Sequence, residues 1–475
     1  MLVIISDLHL TDGSSGEIIS DSSFRLFRNR LSDMAYDASW RCDGVKCAEC
    51  ADGDDCRKFY KPVECIDVIL LGDIFDMIRS EEWNELPEAV MPWTKPNEDI
   101  FFATIEKIVT NILHFNQSSF RILKGIGNNE DIKIPMAMTP AGIKEKMIQK
   151  IGSVASAEKV PVKVNIHYMI GNHDWFFYID DPRLNNVRNQ VIDALGLANE
   201  KDKPFPYYRG DCAVIKEMQD AHRVFAEHGD QFDKTNFQAP HRNASSVGDV
   251  VVIKLLNAIP SRIEKYIKHK MGDSIDAAKQ ERFFKQLKEI DNLRPYTLAP
   301  AWITQLIHET EMDEKIVNEA INYALQASLK EFIRNTIVSK DIILKLKMWI
   351  ARMILSNARI SKLSSIIDYT SFGKDRIESY KKYAIGLAKD QEKDFFIMGH
   401  THYAEVVPIS NYVDKEGIKR SKIYINTGTW RSLHLRAIDD KSFVSYTTMT
   451  IAGFFKSDER KGRPFEFWTG SLALW

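Results

Sequence analysis

Residues 66–76 read IDVILLGDIFD, and this stretch decides the fold class. Its first six residues are mostly apolar and rich in β-branched side chains, which is typical of a buried strand that ends at a glycine turn. Asp73 and Asp76 follow directly after the strand. Polar side chains in this position lie at the carboxyl end of a strand, where open α/β sheets place their ligands. We therefore predict a buried strand with two carboxylates at a functional edge.

Five other runs of the chain have the same character and also end at polar or glycine-rich turns. They are Leu2–Ile5, Val162–Ile170, Val224–Glu227, Phe395–Met398 and Lys422–Ile425. Between these runs, Ser22–Ala38 and Asp99–Phe115 place apolar residues at helical spacing. Because strands and helices alternate along the chain, the sequence predicts an α/β core.

The strand pattern stops between about residues 248 and 390, where helical patterns replace it. We predict a main domain over residues 1–247 and 391–475, which includes a Cys-rich insert at 41–62, and a helical insertion over 248–390. Residues 251–390 contain 24 Lys+Arg against 17 Asp+Glu, a net charge of +7 in a chain whose total is −2. An insertion of this length is large enough to form its own subdomain.

The role of the helical insertion has two interpretations. Since polar motifs flank both of its ends, it could form a lid over a binding site, and its basic excess would help to hold an anionic ligand. It could also be an accessory bundle that stabilises or dimerises the protein, because apolar helical stripes are usually core. Lys345, Lys347 and Arg352 alternate with apolar residues, which suits an amphiphilic ligand or a membrane surface and equally a solvated helix edge.

Five short polar motifs follow the predicted strands. They are Ser6–Leu10 (SDLHL), Gly72–Asp76 (GDIFD), Gly171–Asp174 (GNHD), His228–Asp230 (HGD) and Gly399–His402 (GHTH). Any one of them can occur by chance. Five in succession, each at a strand end, supply the nitrogen and oxygen donors that hold a pair of divalent ions. Such a pair provides the activated water and the positive charge that hydrolysis of a phosphate ester requires.

The five motifs resemble those of the calcineurin-like metallophosphoesterase superfamily. They are most similar to its bacterial branch, which includes SbcD-type nucleases, cyclic-nucleotide phosphodiesterases and UDP-diacylglucosamine pyrophosphatases. The resemblance covers roughly residues 1–75, 163–230 and 395–429, and it leaves out the helical insertion and the Cys-rich insert. It implies an α/β fold of the four-layer αββα sandwich type, and the sequence pattern itself adds the large helical insertion.

The resemblance also implies a set of metal ligands in which two ions share one carboxylate. The set is Asp7, His9 and His402 for one ion, Asn172, His228 and His400 for the other, and Asp73 as the bridge. His173 matches the catalytic histidine of the family, and Asp76 matches the acidic residue that orients its ring. A mixed Asp, Asn and His set suits Mn²⁺, Fe²⁺ or Zn²⁺.

From this set we expect a phosphoesterase in which a metal-bridging hydroxide attacks a phosphodiester or a pyrophosphate. A small, anionic, nucleotide-like molecule is the expected substrate. The alternative is a metal-dependent nuclease that holds DNA or RNA on its basic insertion, which would bind less tightly as salt increases. A metal-bound scaffold without activity is disfavoured, because every expected ligand position is filled.

Four of the six cysteines lie close together in the Cys-rich insert. Cys42, Cys47, Cys50 and Cys56 could hold one structural Zn²⁺, although their spacing departs from the paired form of common zinc motifs. The alternative is a flexible insert with incidental thiols. Cys65 and Cys212 are interpreted as core or incidental residues.

The chain has no apolar run of about 18 residues, the length that a membrane-spanning helix needs. Its first five residues are apolar, and a polar motif follows them directly. This apolar run is too short for the apolar part of a signal peptide. We therefore expect a cytoplasmic protein without a transmembrane segment.

Overall fold

The computed structural model describes residues 1–16, 19–41, 59–94, 99–136, 158–238, 240–271, 277–294, 298–335, 337–338, 376–438 and 442–473. Within them the protein has the mixed α/β character that the sequence predicts. The four cysteines of the proposed zinc site and the basic, apolar stretch at 345–352 lie outside the described residues.

The strands are numbered in chain order. They are β1 (Leu2–Ile5), β2 (Trp40–Arg41), β3 (Phe59–Tyr60), β4 (Cys65–Leu71), β5 (Lys133–Pro135), β6 (Lys159–Pro161), β7 (Lys163–Met169), β8 (Val224–Ala226), β9 (Leu293–Arg294), β10 (Phe395–Met398), β11 (Glu405–Val413), β12 (Lys419–Asn426), β13 (Ser432–Arg436), β14 (Phe443–Phe454) and β15 (Phe465–Ala473).

The α-helices are numbered in the same way. They are α1 (Asp21–Ala38), α2 (Asp99–Phe115), α3 (Gln117–Gly127), α4 (Asn185–Leu195), α5 (Ala213–Ala221), α6 (Val247–Val251), α7 (Ala258–Met271), α8 (Ala277–Leu287), α9 (Ala299–Thr310), α10 (Glu314–Arg334) and α11 (Arg376–Asp390).

Two sheets form the centre of the main domain. In the larger sheet, β1, β4 and β7 are parallel, and β1 also pairs with the end of β14 in the antiparallel sense. The long strand β14 then pairs with β13 and β15. In the smaller sheet, β8, β10 and β12 are parallel and β11 closes the edge. The parallel strands of each sheet therefore end at one common edge.

Strand β1 is buried on both of its faces. Leu2 and Ile4 pack in an apolar cluster that also contains Phe395 and Ile397 of the smaller sheet. Val3 and Ile5 point the other way, into a cluster that includes side chains of α1 to α4. Since successive side chains of a strand alternate between faces, this continuous apolar run fits a strand with packing on both sides.

Helix α11 covers the outer face of the smaller sheet. Tyr380 and Ala384 pack against Met398 and Tyr424. Ala388 packs against Phe396 of the same sheet. By its packing, this helix belongs with the smaller sheet, although the sequence pattern groups it with the helical insertion.

The helical segment that precedes α11 and contains α7 to α10 has an apolar core of its own. This core unites helices α7 to α10 through side chains such as Ile263, Phe283, Ile303 and Phe332. The segment joins the main domain through β9, which adds to the larger sheet beside β13. It also contacts the loop after β4, where Asn257 Nδ2 donates a 2.8 Å hydrogen bond to the carbonyl of Ile78.

No helix in the described part of the chain combines the length and the hydropathy needed to cross a bilayer.

Replacement of Ile69 by Ala tests the packing between the two sheets. Ile69 is fully buried in β4 and lies in the cluster between the sheets. We expect the change to lower the free energy of unfolding by about 2–5 kcal/mol, because it removes apolar contacts and leaves a cavity. Urea denaturation measures this loss. The matched control is Val413→Ala at a side chain that is 66% exposed, which should change stability by less than about 0.5 kcal/mol.

Candidate metal centre

The loops that carry the five motifs meet at the common edge of the two sheets. Within the larger sheet, the amide of Asp7 donates to the carbonyl of Gly72 at 3.0 Å. Within the smaller sheet, the amide of Gly399 donates to the carbonyl of His228 at 3.0 Å. The sheets are joined by His228 itself, whose Nδ1 donates to the carbonyl of Leu71 at 2.8 Å. These backbone contacts bring ligand residues from distant parts of the chain into one pocket.

The first group of possible ligands consists of Asp7, His9, Asp73 and His402. Their ligand atoms lie within 4.8 Å of one another. Nε2 of His402 is 3.4 Å from Asp7 Oδ1, and Nε2 of His9 is 3.8 Å from Asp73 Oδ2. The two Nε2 atoms are only 2.8 Å apart, a contact that needs a shared proton or a cation to be favourable.

The second group consists of Asp73, His228 and His400, and Asn172 contacts both of these histidines. Nε2 of His228 is 3.3 Å from Asp73 Oδ2. The side-chain oxygen of Asn172 is 2.7 Å from His400 Nδ1 and 3.3 Å from His228 Nε2. Asp73 is therefore common to both groups, and all seven predicted ligands lie in one pocket.

The backbone at this pocket is strained. Asp7, His9, Asp73, His400 and His402 all have a positive φ, between 48° and 65°. Residues other than glycine rarely adopt this conformation, and such strain concentrates at functional sites. Its presence at five of the seven predicted ligands indicates that the fold stabilises these side chains in a fixed arrangement.

Two glycines allow the ligand loops to approach closely. A Cβ at Gly171 would overlap Asp73 Oδ1 and come within 2.7 Å of His228 Nε2. A Cβ at Gly399 would overlap Asp7 Oδ2. Both positions therefore require glycine because a carboxylate occupies the space that a side chain would take.

The Asp76 carboxylate joins two imidazole rings. Its Oδ1 is 2.5 Å from His173 Nδ1, and its Oδ2 is 3.1 Å from His9 Nδ1. Burial opposes the ionisation of this carboxyl, but the charges of His173 and His9 outweigh it and hold the pKa of Asp76 well below its usual value. The predicted catalytic pair is therefore in direct contact.

The electrostatics of the pocket favour added positive charge. Burial opposes ionisation of Asp73, but the rings of His228, His173 and His9 hold its pKa well below its usual value. Burial likewise disfavours the charged ring of His9, yet Asp76 and other carboxylates raise the pKa of His9 to about 9. Buried carboxylates and converging imidazoles are compatible with divalent cations, and the mixed oxygen and nitrogen donors fit such ions.

Three further side chains near the pocket had no role assigned from the sequence. Asp174 Oδ2 accepts hydrogen bonds from the amide of Ile74 at 2.8 Å and from the hydroxyl of Tyr168 at 2.6 Å, so it ties two ligand loops together. Asp233 contacts His400 at 3.3 Å, and Arg431 NH1 lies 3.7 Å from Asp76 Oδ2. Asp174 belongs to the GNHD motif, whereas periodicity gives no signal for the other two.

No family model, curated protein or solved structure matches the chain.

Replacement of Gly171 by Ala tests whether the close approach of the loops is needed. We expect affinity for Mn²⁺ to fall by about tenfold or more, because the added methyl group displaces Asp73 and His228. Calorimetric titration of the metal-free protein measures this change. Gly386→Ala is the matched control, since a Cβ there meets nothing within 4 Å. Equal affinities in the two variants would contradict the expectation.

Addition of metal should stabilise the folded protein. An ion that binds only the native state at about 100 times its Kd adds about 2.7 kcal/mol of stability. We therefore expect Mn²⁺ to raise the melting temperature and EDTA to reverse the rise, measured by scanning calorimetry. The Asp73→Ala variant should show a much smaller response, because both groups of ligands lose a member. An unchanged response would argue against this pocket as the binding site.

Proposed function

We propose that this protein is a two-metal phosphoesterase of the calcineurin-like metallophosphoesterase type, which hydrolyses a phosphodiester or pyrophosphate bond. The observation that carries the proposal is the position of Asp73. Its carboxylate belongs to two groups of possible ligands at once, and a His173–Asp76 pair lies beside them. A carboxylate shared by two ions, with an acid–base pair beside it, suits in-line attack of water on phosphorus.

The metal ligands would divide as the sequence motifs imply. Asp7, His9 and His402 would hold one ion, Asn172, His228 and His400 the other, and Asp73 both. When bound, the ions would polarise the phosphoryl oxygens and lower the pKa of a coordinated water. Mn²⁺, Fe²⁺ and Zn²⁺ all suit these donors.

His173 is the side chain placed to move a proton. Its Nδ1 faces Asp76, so its Nε2 is directed away from that carboxylate and lies 4.0 Å from Asp73 Oδ2. The ring is 14% exposed, whereas His9 and His228 are fully enclosed. A proton on Nε2 can therefore pass to the leaving oxygen of a substrate. Asp76 fixes the ring orientation that this transfer needs.

The packing of the sheets supports the four-layer αββα arrangement that the family implies. One apolar cluster lies between the two sheets, a second lies between the larger sheet and α1 to α4, and others lie between the smaller sheet and α11. Four layers in this order would place both sets of ligand loops at the same edge.

A small substrate is favoured over nucleic acid by the way in which the insertion is docked. Three of its basic residues form ion pairs with an acidic segment that follows the GDIFD motif. The pairs are Lys254 with Glu88, Lys265 with Glu85 and Lys288 with Glu81. Part of the basic excess is therefore paired with acidic side chains of the main domain, which leaves less charge to attract a phosphate backbone.

A substrate panel with Mn²⁺ tests the function. We expect hydrolysis of bis-p-nitrophenyl phosphate and of nucleotide-like diphosphates, and rates on single-stranded DNA that are much lower. Efficient cleavage of DNA, with affinity that falls steeply as salt increases, would instead establish the nuclease. Absence of turnover on every phosphate ester would contradict the proposal.

Two substitutions separate metal binding from proton transfer. We expect Asp73→Ala to lose bound metal and activity together, because it removes the shared carboxylate. His173→Ala should retain both ions and lose about 10²–10⁴-fold in kcat, the range found for removal of a general acid. Metal content by mass spectrometry and steady-state kinetics give the two results. Full activity in Asp73→Ala would show that the bridging role is wrong.

A further inference from the structure

A carboxylate outside the seven ligands contacts the ring of His400. Asp233 lies on the loop after β8, and its Oδ2 is 3.3 Å from His400 Nε2. The other ring nitrogen, Nδ1, is 2.7 Å from the side-chain oxygen of Asn172. Both partners are oxygen acceptors, so without a cation the ring can donate to both only as an imidazolium. With a cation between Nδ1 and the Asn172 oxygen, the ring proton would stay on Nε2 and point to Asp233.

Asp233 is itself held in place. Its Oδ1 accepts a 2.9 Å hydrogen bond from the amide of Thr235, and its Oδ2 accepts one of 2.9 Å from Asn236 Nδ2. Its own amide donates to the carbonyl of Asp230 at 2.9 Å. The carboxylate is thus positioned by its own turn, independently of the histidine.

In two other predicted ligand histidines, the ring nitrogen that faces away from the pocket contacts an oxygen acceptor. Nδ1 of His9 lies 3.1 Å from Asp76 Oδ2, and Nδ1 of His228 lies 2.8 Å from the carbonyl of Leu71. Such outer contacts fix the tautomer of a ligand histidine and increase its basicity. Asp233 has the same relation to His400 as Asp76 has to His9.

The turn that carries Asp233 is connected to the start of the helical segment. The amide of Gly248, in α6, donates to the carbonyl of Thr235 at 2.7 Å. A Cβ at Gly248 would overlap Asn236 Oδ1, so the two segments are in close contact. The ring of Tyr380, with its centroid 5.9 Å from that of His400, packs on the same histidine from α11.

We infer that Asp233 is a positioning residue for the second ion, and that it acts through His400. The inference rests on the two-ion centre of the proposed function. Asp233 presents Nδ1 of His400 to the ion that Asn172 and His228 share, and it has no part in holding the ion at Asp7, His9 and His402. Each ion therefore has its own outer carboxylate, Asp76 for the first and Asp233 for the second.

Titration of Mn²⁺ into metal-free wild type, Asp233→Ala and Asp233→Asn tests this inference. We expect wild type to bind two ions with the electron paramagnetic resonance signal of a coupled pair. In Asp233→Ala, one ion should keep its affinity and the other should bind about 10–100-fold more weakly, the usual effect of losing an outer partner. A single-ion signal should then appear at stoichiometric Mn²⁺. Asp233→Asn, which keeps an acceptor oxygen, should lie between the two.

Asp394→Asn is the matched control. It changes the same functional group at the opposite end of β10, where Asp394 pairs with Arg223 at 2.7 Å, and both ions should bind as in wild type. The inference is overturned if Asp233→Ala binds both ions normally, or if both affinities fall equally, as general destabilisation would cause. A wild type that binds two ions but hydrolyses no phosphate ester would overturn the proposed function and leave this inference intact.

Discussion

The pocket depends on one electrostatic constraint, the burial of Asp7, Asp73 and Asp76, each at most 1% exposed, within a single cluster. A buried carboxylate without a partner is strongly destabilising, so these groups require positive charge around them. Imidazole rings provide part of it, and the lowered pKa of Asp73 together with the raised pKa of His9 reflects that need. A pair of divalent ions would satisfy the same requirement with donors that already converge.

The fold meets this constraint by bringing parallel strands from two sheets to one edge. The loops after these strands then cross-link through backbone hydrogen bonds and through Asp174, and glycines such as Gly171 give the carboxylates room. Left-handed backbone at five ligand positions adds local strain, which the packed sheets beneath must offset. Rigid strands therefore support a site whose own loops are unfavourable in isolation.

Much of the site could be predicted because its residues follow strands that are visible as apolar runs. The strand over residues 66–71 and the motif after it appear as expected, with the strand beginning one residue earlier at Cys65. Asp233 and Arg431 could not be assigned, since their importance arises from contacts between distant segments and not from local pattern. The packing of helix α11 could not be predicted for the same reason. Periodicity reveals that a helix has an apolar face but not which surface covers that face. The pairing of β14 with β1 joins opposite ends of the chain, which no local signal encodes.

The most direct test is an anomalous-scattering map of a crystal grown with Mn²⁺. The account predicts two peaks about 3.5–4 Å apart, with the Asp73 carboxylate between them. One peak should contact His9 and His402, and the other should contact His228 and His400. A single peak, or peaks that do not contact Asp73, would contradict the shared carboxylate on which the proposed function depends.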